Sequence, residues 1–349
     1  MIPRLLRSDN LTPPTRTPWG GEEILGHYKA DLDLHRTGKV GESWEVSVEP
    51  SFPSLLAGTE TLLSDAIAAD PVGWLGPEVA ARYGGQTPLL IKLLDAADNL
   101  SVQVHPRDGD PELALDESGK PEAWIVLRAR PGAGLYLGFQ DGVAREDVVR
   151  CLERSGPLDR LMNFVTVSPG DAFVIAAGTP HAIGGGVTLI EPQFVTPGRR
   201  GVTYRFWDWN RRYDAEGQRD PSGAPRPLHV ARSLAVTRWG GPTGEAFVSR
   251  CRALPRLLQA GPLVRQRVVS WPWFVSERWR GSGTLTLPPL GTMWALTAFQ
   301  GRAELETAGG VLTLRRGQSA VVPASAGALE VRAEELDLIA TYSPLKAPA

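Results

Sequence analysis

The chain has 349 residues, of which 42% are hydrophobic and 22% are charged, a balance that excludes an intrinsically disordered or membrane-embedded protein. Its 37 basic and 39 acidic residues give a formal net charge of −2, so no basic excess exists to bind nucleic acid or anionic lipid. An anionic substrate must therefore be bound by a few well-placed cations.

The cysteine content and the terminal sequence indicate a cytoplasmic protein. Cys151 and Cys251 are the only cysteines, too few for a disulfide framework or a thiolate metal site. The first residues lack the apolar run of about 7–15 residues that marks a signal peptide. No stretch approaches the ~18 apolar residues needed to span a bilayer. We expect no membrane partner and no nucleic-acid partner.

Glycine and proline, 38 and 30 residues, are spread between short β-branched and aromatic runs, which is typical of a β-rich protein with frequent turns. The strands predicted in the first part of the chain are 43–49, 89–94, 100–105, 123–127, 135–139, 163–167, 172–176, 187–191 and 202–209. Helical spacing of apolar residues predicts helices over 62–69, 77–83, 145–154 and 228–235. The strands predicted after about residue 245 are 284–287, 294–299, 303–307, 311–314, 319–322, 329–332 and 337–342.

Two related segments, 170–175 and 317–323, suggest two similar β-barrels. All five histidines precede residue 230, so only the first barrel can bind a metal through imidazole. We therefore predict a domain over 1–240, with helical segments and a metal site, and a metal-free β domain over 241–349.

Side chains suited to one divalent metal occur on separate strand-like segments. The first segment is Ser101-Val-Gln103-Val-His105, and Glu122 and His181 follow on two others. Because successive strand residues point to opposite faces, Ser101, Gln103 and His105 share one face, and the apolar residues between them pack on the other. Glu122 precedes an apolar strand, where an uncompensated carboxylate would be costly. The four residues together favour a metal over a pair of buried histidines bonded only to the backbone.

Segments across the chain resemble those of type I mannose-6-phosphate isomerases (phosphomannose isomerases), in the same order: 19–21, 41–45, 88–106, 120–124, 177–182 and 203–208. The length is similar to that of the short bacterial form. The resemblance implies a mainly β fold of the cupin superfamily: two cupin-like β-barrels (jelly rolls) with a few helices, and the metal site in the N-terminal barrel. It also implies one Zn²⁺ per chain, held by Gln103, His105, Glu122 and His181.

The resemblance further implies a substrate site beside the metal. Lys92 and Ser101 would lie near the substrate phosphate, and Lys120 and Glu191 would be catalytic candidates. From the residues alone, Lys92 could instead pair with Asp95 in its strand. Ser101 could be hydrogen-bonded within the barrel. Lys120 could be an exposed turn residue, and Glu191 could form a salt bridge.

Arg205 matches the family's active-site arginine, which would stabilise charge on substrate oxygens. The period of two places it on one face with Trp207 and Trp209, so a stacked structural arginine is the alternative. An apparent insert over 196–201 precedes it and offers Arg199 and Arg200 as rival cations. The family's turn before the second histidine begins with proline, whereas here it begins with alanine.

The Glu42-Ser-Trp44-Glu45 motif is interpreted as structural, since alternation directs Trp44 into the core. Three further histidines, His27, His35 and His229, have no companion ligands and are interpreted as surface or helix-packing residues.

The predicted activity is interconversion of mannose 6-phosphate and fructose 6-phosphate by proton transfer between C1 and C2 through an enediol. Either Glu191 or a metal-bound water could be the general base. The alternatives are an iron-dependent cupin dioxygenase, because two histidines and a carboxylate also bind non-haem iron, and a non-catalytic sugar-phosphate-binding cupin. The expected partner is a small sugar phosphate, and the chain would be a monomer or a homodimer.

Overall fold

The computed structural model describes residues 1–289 and 291–346. Strands dominate it, in agreement with the predicted mainly β architecture. In chain order they are β1 Arg4–Leu5, β2 Glu42–Val46, β3 Leu89–Ala96, β4 Val102–Val104, β5 Glu117–Ser118, β6 Glu122–Ala129, β7 Gly134–Phe139, β8 Met162–Thr166, β9 Ala172–Ile175, β10 His181–Ile183, β11 Val187–Phe194, β12 Arg200–Gly201, β13 Tyr204–Trp207, β14 Arg256–Gln259, β15 Leu263–Ser270, β16 Val275–Leu287, β17 Trp294–Thr307, β18 Gly310–Arg315, β19 Ser319–Val322 and β20 Leu329–Tyr342.

Short helices connect the strands. They are α1 Leu63–Ala69, α2 Pro71–Leu75, α3 Pro77–Arg82, α4 Arg145–Glu153, α5 Val230–Val236 and α6 Gly244–Cys251. A π-helical turn covers Ile24–Tyr28, and 3₁₀ turns cover Leu158–Leu161 and Ala324–Ala326. Each helix in the described residues is too short or too polar to cross a lipid bilayer.

Two five-stranded sheets form the N-terminal part, with strand orders β2-β3-β11-β6-β9 and β13-β4-β10-β7-β8. In the first sheet, Lys92 of β3 lies opposite Glu191 of β11, and Gln193 lies opposite Glu122 of β6. In the second, Gln103 of β4 lies between His181 of β10 and Arg205 of β13. Register alone thus gathers polar side chains within each sheet.

Apolar side chains fix these strands in place. Val102 and Val104 are fully buried and pack in one cluster with Phe206 and Val148. All eight residues of β3 and all eight of β11 are buried, including the polar ones. Polar groups buried at this depth require specific partners.

The C-terminal part is one eight-stranded sheet, β1-β19-β17-β20-β16-β15-β14 with β18 paired to β17. The chain's first strand, β1, thus belongs to the C-terminal sheet, and α6 contacts β7, β8 and β9 of the N-terminal sheets. A buried ion pair joins the two parts: Lys29 Nζ lies 2.9 Å from Glu45 Oε1 and donates to the Gly317 carbonyl, while Ser319 donates to Glu45. The division at residue 240 stays a prediction.

The structure differs from the predicted elements mainly at their ends and after residue 240. The helix predicted over 228–235 runs over Val230–Val236, and the pairs 294–299 with 303–307 and 329–332 with 337–342 are single long strands. Helices α2 and α6, and strands β1, β5, β10, β12, β14, β15 and most of β16, were not predicted. Strand β14 is largely exposed and β15 carries partly exposed Arg and Gln side chains, so neither shows a clear alternation of buried and exposed residues.

Candidate metal centre

Three of the predicted metal ligands meet between the two sheets. His105, Glu122 and His181 are buried, and their ligand atoms all lie within 4.8 Å of one another. Nε2 of His105 is 3.2 Å from Glu122 Oε2, and Nε2 of His181 is 3.3 Å from Glu122 Oε1. Glu122 comes from the first sheet and His181 from the second, so the centre bridges the two layers.

The imidazole orientations leave both Nε2 atoms as acceptors. Nδ1 of His105 donates to the Val202 carbonyl at 3.0 Å, and Nδ1 of His181 donates to the Thr179 carbonyl at 2.8 Å, since a carbonyl can only accept. Among the described residues, both Nε2 atoms and Glu122 Oε1 are buried without a hydrogen-bond partner. Lone pairs that face one another across about 3 Å need a cation between them.

The protonation equilibria agree with this arrangement. Burial, together with the nearby Lys120, lowers the pKa of His105 to about 3, and burial also lowers the pKa of His181. Burial opposes ionisation of Glu122, but Lys120 and the imidazoles outweigh it and hold its pKa well below the ordinary value. Two neutral imidazoles and one carboxylate form a donor set that suits zinc.

Gln103, the fourth predicted ligand, is half-buried and lines the adjacent cavity. Its Cα pairs with that of His181 across β4 and β10. The structure thus places it beside the three buried ligands and on the solvent side of the centre.

Gln193 was missed by the sequence reasoning. It is fully buried, and its Nε2 donates to Glu122 Oε2 and to Glu191 Oε2, both at 2.7 Å. Glu191 also accepts from the Trp124 indole at 2.8 Å. The sequence signal was present: Glu191 and Gln193 are two residues apart, and therefore on one face, in an otherwise apolar strand.

Glu191 has a strongly shifted protonation equilibrium. Burial and the nearby Glu122 raise its pKa to about 8, although Lys120, Lys92 and the Trp124 hydrogen bond act in the opposite direction. A carboxyl group with a pKa near neutrality can both give and take a proton at working pH.

A cavity of about 420 Å³ lies beside the centre, and Gln103 and Glu191 are among its lining residues. Lys120 connects the two, because it lines the cavity and its Nζ lies 3.3 Å from Glu122 Oε2. The lining carries six cationic side chains and three carboxylic ones, which are Arg16, Lys92, Lys120, Arg200, Arg205, Arg226, Glu42, Glu49 and Glu191. This surplus of positive charge suits an anionic ligand.

Lys92 pairs with Glu42 and not with Asp95, which corrects one sequence alternative. The Lys92 Nζ–Glu42 Oε2 distance is 3.6 Å, and Nζ also lies 4.2 Å from the centre of the Trp44 ring. Asp95 instead accepts from the backbone of Glu23. Burial lowers the pKa of Lys92, and Glu42 only partly offsets this.

The interpretation of the Glu42–Glu45 motif as structural was wrong for Glu42 and Trp44. Glu42 and Trp44 line the cavity, and the Trp44 indole donates to Glu42 Oε2 at 2.8 Å. Burial opposes ionisation of Glu42, but Lys92 and the indole outweigh it and lower its pKa. A register shift after Trp44 breaks the alternation on which the interpretation depended.

Arg205 lines the cavity and is held by two contacts. Its Nε donates to Ser101 Oγ at 3.2 Å and its Nη1 to the Pro227 carbonyl at 2.8 Å. Burial and the nearby Arg226 lower its pKa to about 10, so it stays charged at neutral pH.

The prediction that Arg205 shares a face with two tryptophans was wrong. A register shift follows Arg205, which pairs with Gln103 while Trp207 pairs with Val102, a residue of the opposite face. Trp209 lies beyond the end of β13.

Lys120 is buried, which rules out the exposed turn lysine considered from the sequence. Of the two rival cations, Arg200 lines the cavity and pairs with Glu117 Oε1 at 2.8 Å. Arg199 is exposed and contacts the Glu117 carbonyl at 3.4 Å.

Comparison with known proteins connects this chain to phosphomannose isomerases. A sequence model described as "Phosphomannose isomerase type I, catalytic domain" matches residues 15–129. The mannose-6-phosphate isomerase of Streptococcus mutans is 28% identical over 332 residues, which cover 93% of this chain and 94% of that protein.

Solved structures extend the likeness to nearly the whole fold. The mannose 6-phosphate isomerase from Bacillus subtilis superposes with a TM-score of 0.80 at 22% identity, over 98% of this chain and 99% of its own. A mannose 6-phosphate isomerase bound with zinc and yttrium superposes with a TM-score of 0.71 at 16% identity, over 98% of this chain and 99% of its own. The arrangement of both sheet systems is therefore a known one.

Proposed function

We propose that this chain, which belongs to the type I phosphomannose isomerase family, is a zinc-dependent enzyme that interconverts mannose 6-phosphate and fructose 6-phosphate. The observation that carries the proposal is the set of three buried acceptors, His105, Glu122 and His181, which face one another beneath a cavity with surplus positive charge. A metal satisfies the acceptors, and the cavity accommodates a sugar phosphate.

His105, Glu122 and His181 would hold the metal, and Gln103 would complete the set from the cavity side. Zinc fits two neutral imidazoles and oxygen ligands, and when bound it supplies Lewis acidity without redox chemistry. The carbonyls of Val202 and Thr179 orient the two rings, so the donor atoms are aimed before the metal arrives.

The substrate phosphate would lie against Lys92 and Ser101. Both line the cavity, and Ser101 is already oriented by the Arg205 guanidinium. The Lys92 ammonium group is buried and contacts Glu42 at 3.6 Å and the Trp44 ring at 4.2 Å. Because Glu42 compensates its charge only partly, a bound phosphate dianion would stabilise it.

The reaction moves one proton between C2 and C1, while the two neighbouring oxygens exchange carbonyl and hydroxyl character. Glu191 lines the cavity, and its raised pKa suits it to take the proton from one carbon and return it to the other. Arg205 and Lys120 would stabilise negative charge that develops on the substrate oxygens. Gln193 would hold Glu191 and Glu122 in one fixed geometry.

Two observations disfavour the alternatives. A dioxygenase acting on a neutral substrate would have no use for six cations around one cavity. A non-catalytic sugar-phosphate-binding protein would have no use for a buried carboxyl group with a pKa of about 8 beside the metal centre.

The test is a coupled assay that follows fructose 6-phosphate formation from mannose 6-phosphate, with glucose 6-phosphate as the control substrate. His181→Ala should lose metal and activity together, whereas Arg205→Ala should keep the metal and lose turnover. His35→Ala is the matched control, because His35 is an exposed histidine outside the cavity lining. Full activity of chelated, metal-free protein would overturn the proposal, as would oxygen uptake with iron bound.

The proposal includes a cytoplasmic location and a monomeric or homodimeric state. Sedimentation of the purified protein at micromolar concentration would measure the second.

A further inference from the structure

Residues 196–202 form a segment that contacts β5 and two residues of the candidate site, His105 and Lys120. Two hydrogen bonds fix its first residue. The Thr196 backbone N–H donates to Ser118 Oγ at 2.9 Å, and Thr196 Oγ1 donates to Asp108 Oδ2 at 2.7 Å. Arg200 and Gly201 then form β12, which pairs in parallel with β5. This segment contains residues 196–201, the insert predicted from the sequence.

The end of the segment reaches two site residues. The Val202 carbonyl accepts the His105 Nδ1 proton at 3.0 Å, and Val202 N donates to the Ser118 carbonyl at 3.1 Å. Gly201 lines the cavity beside Lys120.

Gly201 lies against the aliphatic part of Lys120. A Cβ added at Gly201 would be 2.9 Å from Lys120 Cδ and 3.1 Å from Val195 Cγ2. Gly201 is not among the residues with positive φ, so alanine would meet no backbone strain there. A larger residue at position 201 would therefore have to displace the Lys120 side chain.

From these contacts we propose that residues 196–202 act as a positioning segment, in which Gly201 leaves the room that lets Lys120 lie beside Glu122. The proposal builds on the isomerase function proposed above. Gly201 is a positioning residue, because it acts on the site only through Lys120, whose Nζ lies 3.3 Å from Glu122 Oε2. The carbonyl of the next residue meanwhile fixes the His105 ring, so one short segment sets two parts of the site.

The main test is Gly201→Ala, with Gly241→Ala as the matched control. Gly241 also lacks positive φ, and a Cβ there meets no atom of the described chain within 4 Å. Since a 1 Å misplacement at an active site costs about 100-fold, a shift of about half that size should lower kcat about tenfold, with a smaller change in KM. Gly201→Val should lower kcat further, and both variants should keep one zinc per chain, measured by elemental analysis.

A double-mutant cycle of Gly201→Ala and Lys120→Ala, measured by melting temperature, tests the packing without an activity assay. In a Lys120→Ala background the contacts with Lys120 disappear and the 3.1 Å contact with Val195 Cγ2 remains, so Gly201→Ala should lower the melting temperature clearly less there than in the wild-type background. This cycle stays informative even if Gly201→Ala folds poorly.

The outcomes separate the two proposals. If wild-type protein has no isomerase activity, the proposed function fails, and the stability cycle alone still tests the packing. If wild type is active and Gly201→Ala matches Gly241→Ala in kcat, the positioning role is refuted. Equal stability losses with and without Lys120 would also refute it.

Discussion

Replacement of Glu191 by glutamine should change how the stability of the metal-free protein depends on pH. The native pKa of this carboxyl is about 8, whereas a glutamate in an unfolded chain titrates near pH 4.3. Between these values the native state holds a proton that the unfolded state has released. Stability therefore falls as pH rises through this window, and glutamine, which cannot ionise, removes the fall.

The size of the effect follows from the width of the window. One pKa unit corresponds to about 1.36 kcal/mol, so wild type should lose about 1–2 kcal/mol between about pH 6.5 and pH 8 through this group. The buried histidines do not mask it. His105 has a native pKa of about 3, so its contribution rises with pH and levels off above the unfolded value of about 6.5.

The assay is urea unfolding of the chelated protein at several pH values, with wild type and Glu191→Gln measured side by side. The difference between the two free energies of unfolding reports the Glu191 carboxyl together with its electrostatic coupling to Glu122, Lys120 and Lys92, because titrating groups that do not interact with it are shared. We expect the variant to gain on wild type from about pH 4.3 upward and the difference to level off above about pH 8. Parallel curves would show that Glu191 has an ordinary pKa, and the acid–base role assigned to it would lose its support.

Three further outcomes follow. Zinc at about 100 times its dissociation constant should stabilise the protein by about 2.7 kcal/mol, and His181→Ala should abolish the resulting rise in melting temperature. Lys29→Met leaves Glu45 as an uncompensated buried charge and should cost about 3–5 kcal/mol in urea unfolding, with turnover per folded molecule unchanged. Gln193→Leu removes both amide hydrogen bonds to the two carboxylates it contacts, and should lower metal affinity or kcat about 10–100-fold, measured by chelator competition and by steady-state kinetics.

The candidate metal ligands could be chosen from residue types and the two-residue period of a strand. Histidine is rare in this chain, with five in 349 residues, so His105 and His181 were easy to single out. The alternation of a strand directs Gln103 away from the buried valines of β4. Glu122 was found because a carboxylate at the start of an apolar strand requires a partner. Each of these inferences uses only local sequence.

Gln193 and Glu42 could not be assigned in this way, because their partners are set by register between strands. Gln193 reaches Glu122 only because β11 pairs with β6 in one alignment, and a shift of one residue would turn it to the opposite face. Glu42 faces the cavity because a bulge in β2 interrupts the alternation. Bulges and registers depend on tertiary packing, so local sequence does not specify them.

Lys120 and a bound metal would interact with the same carboxylate, that of Glu122. The acceptor atoms of His105, Glu122 and His181 meet in a buried space. The ammonium group of Lys120 lies 3.3 Å from Oε2 of Glu122, the one carboxylate of this set. Without a metal this lysine offsets the buried charge, and with a metal it becomes a second cation beside the same oxygen. Lys120 also lines the cavity, so its ammonium can stay beside Glu122 and face an anion in the cavity at the same time. The segment that packs on Lys120 would therefore affect the metal-free and the metal-bound protein alike.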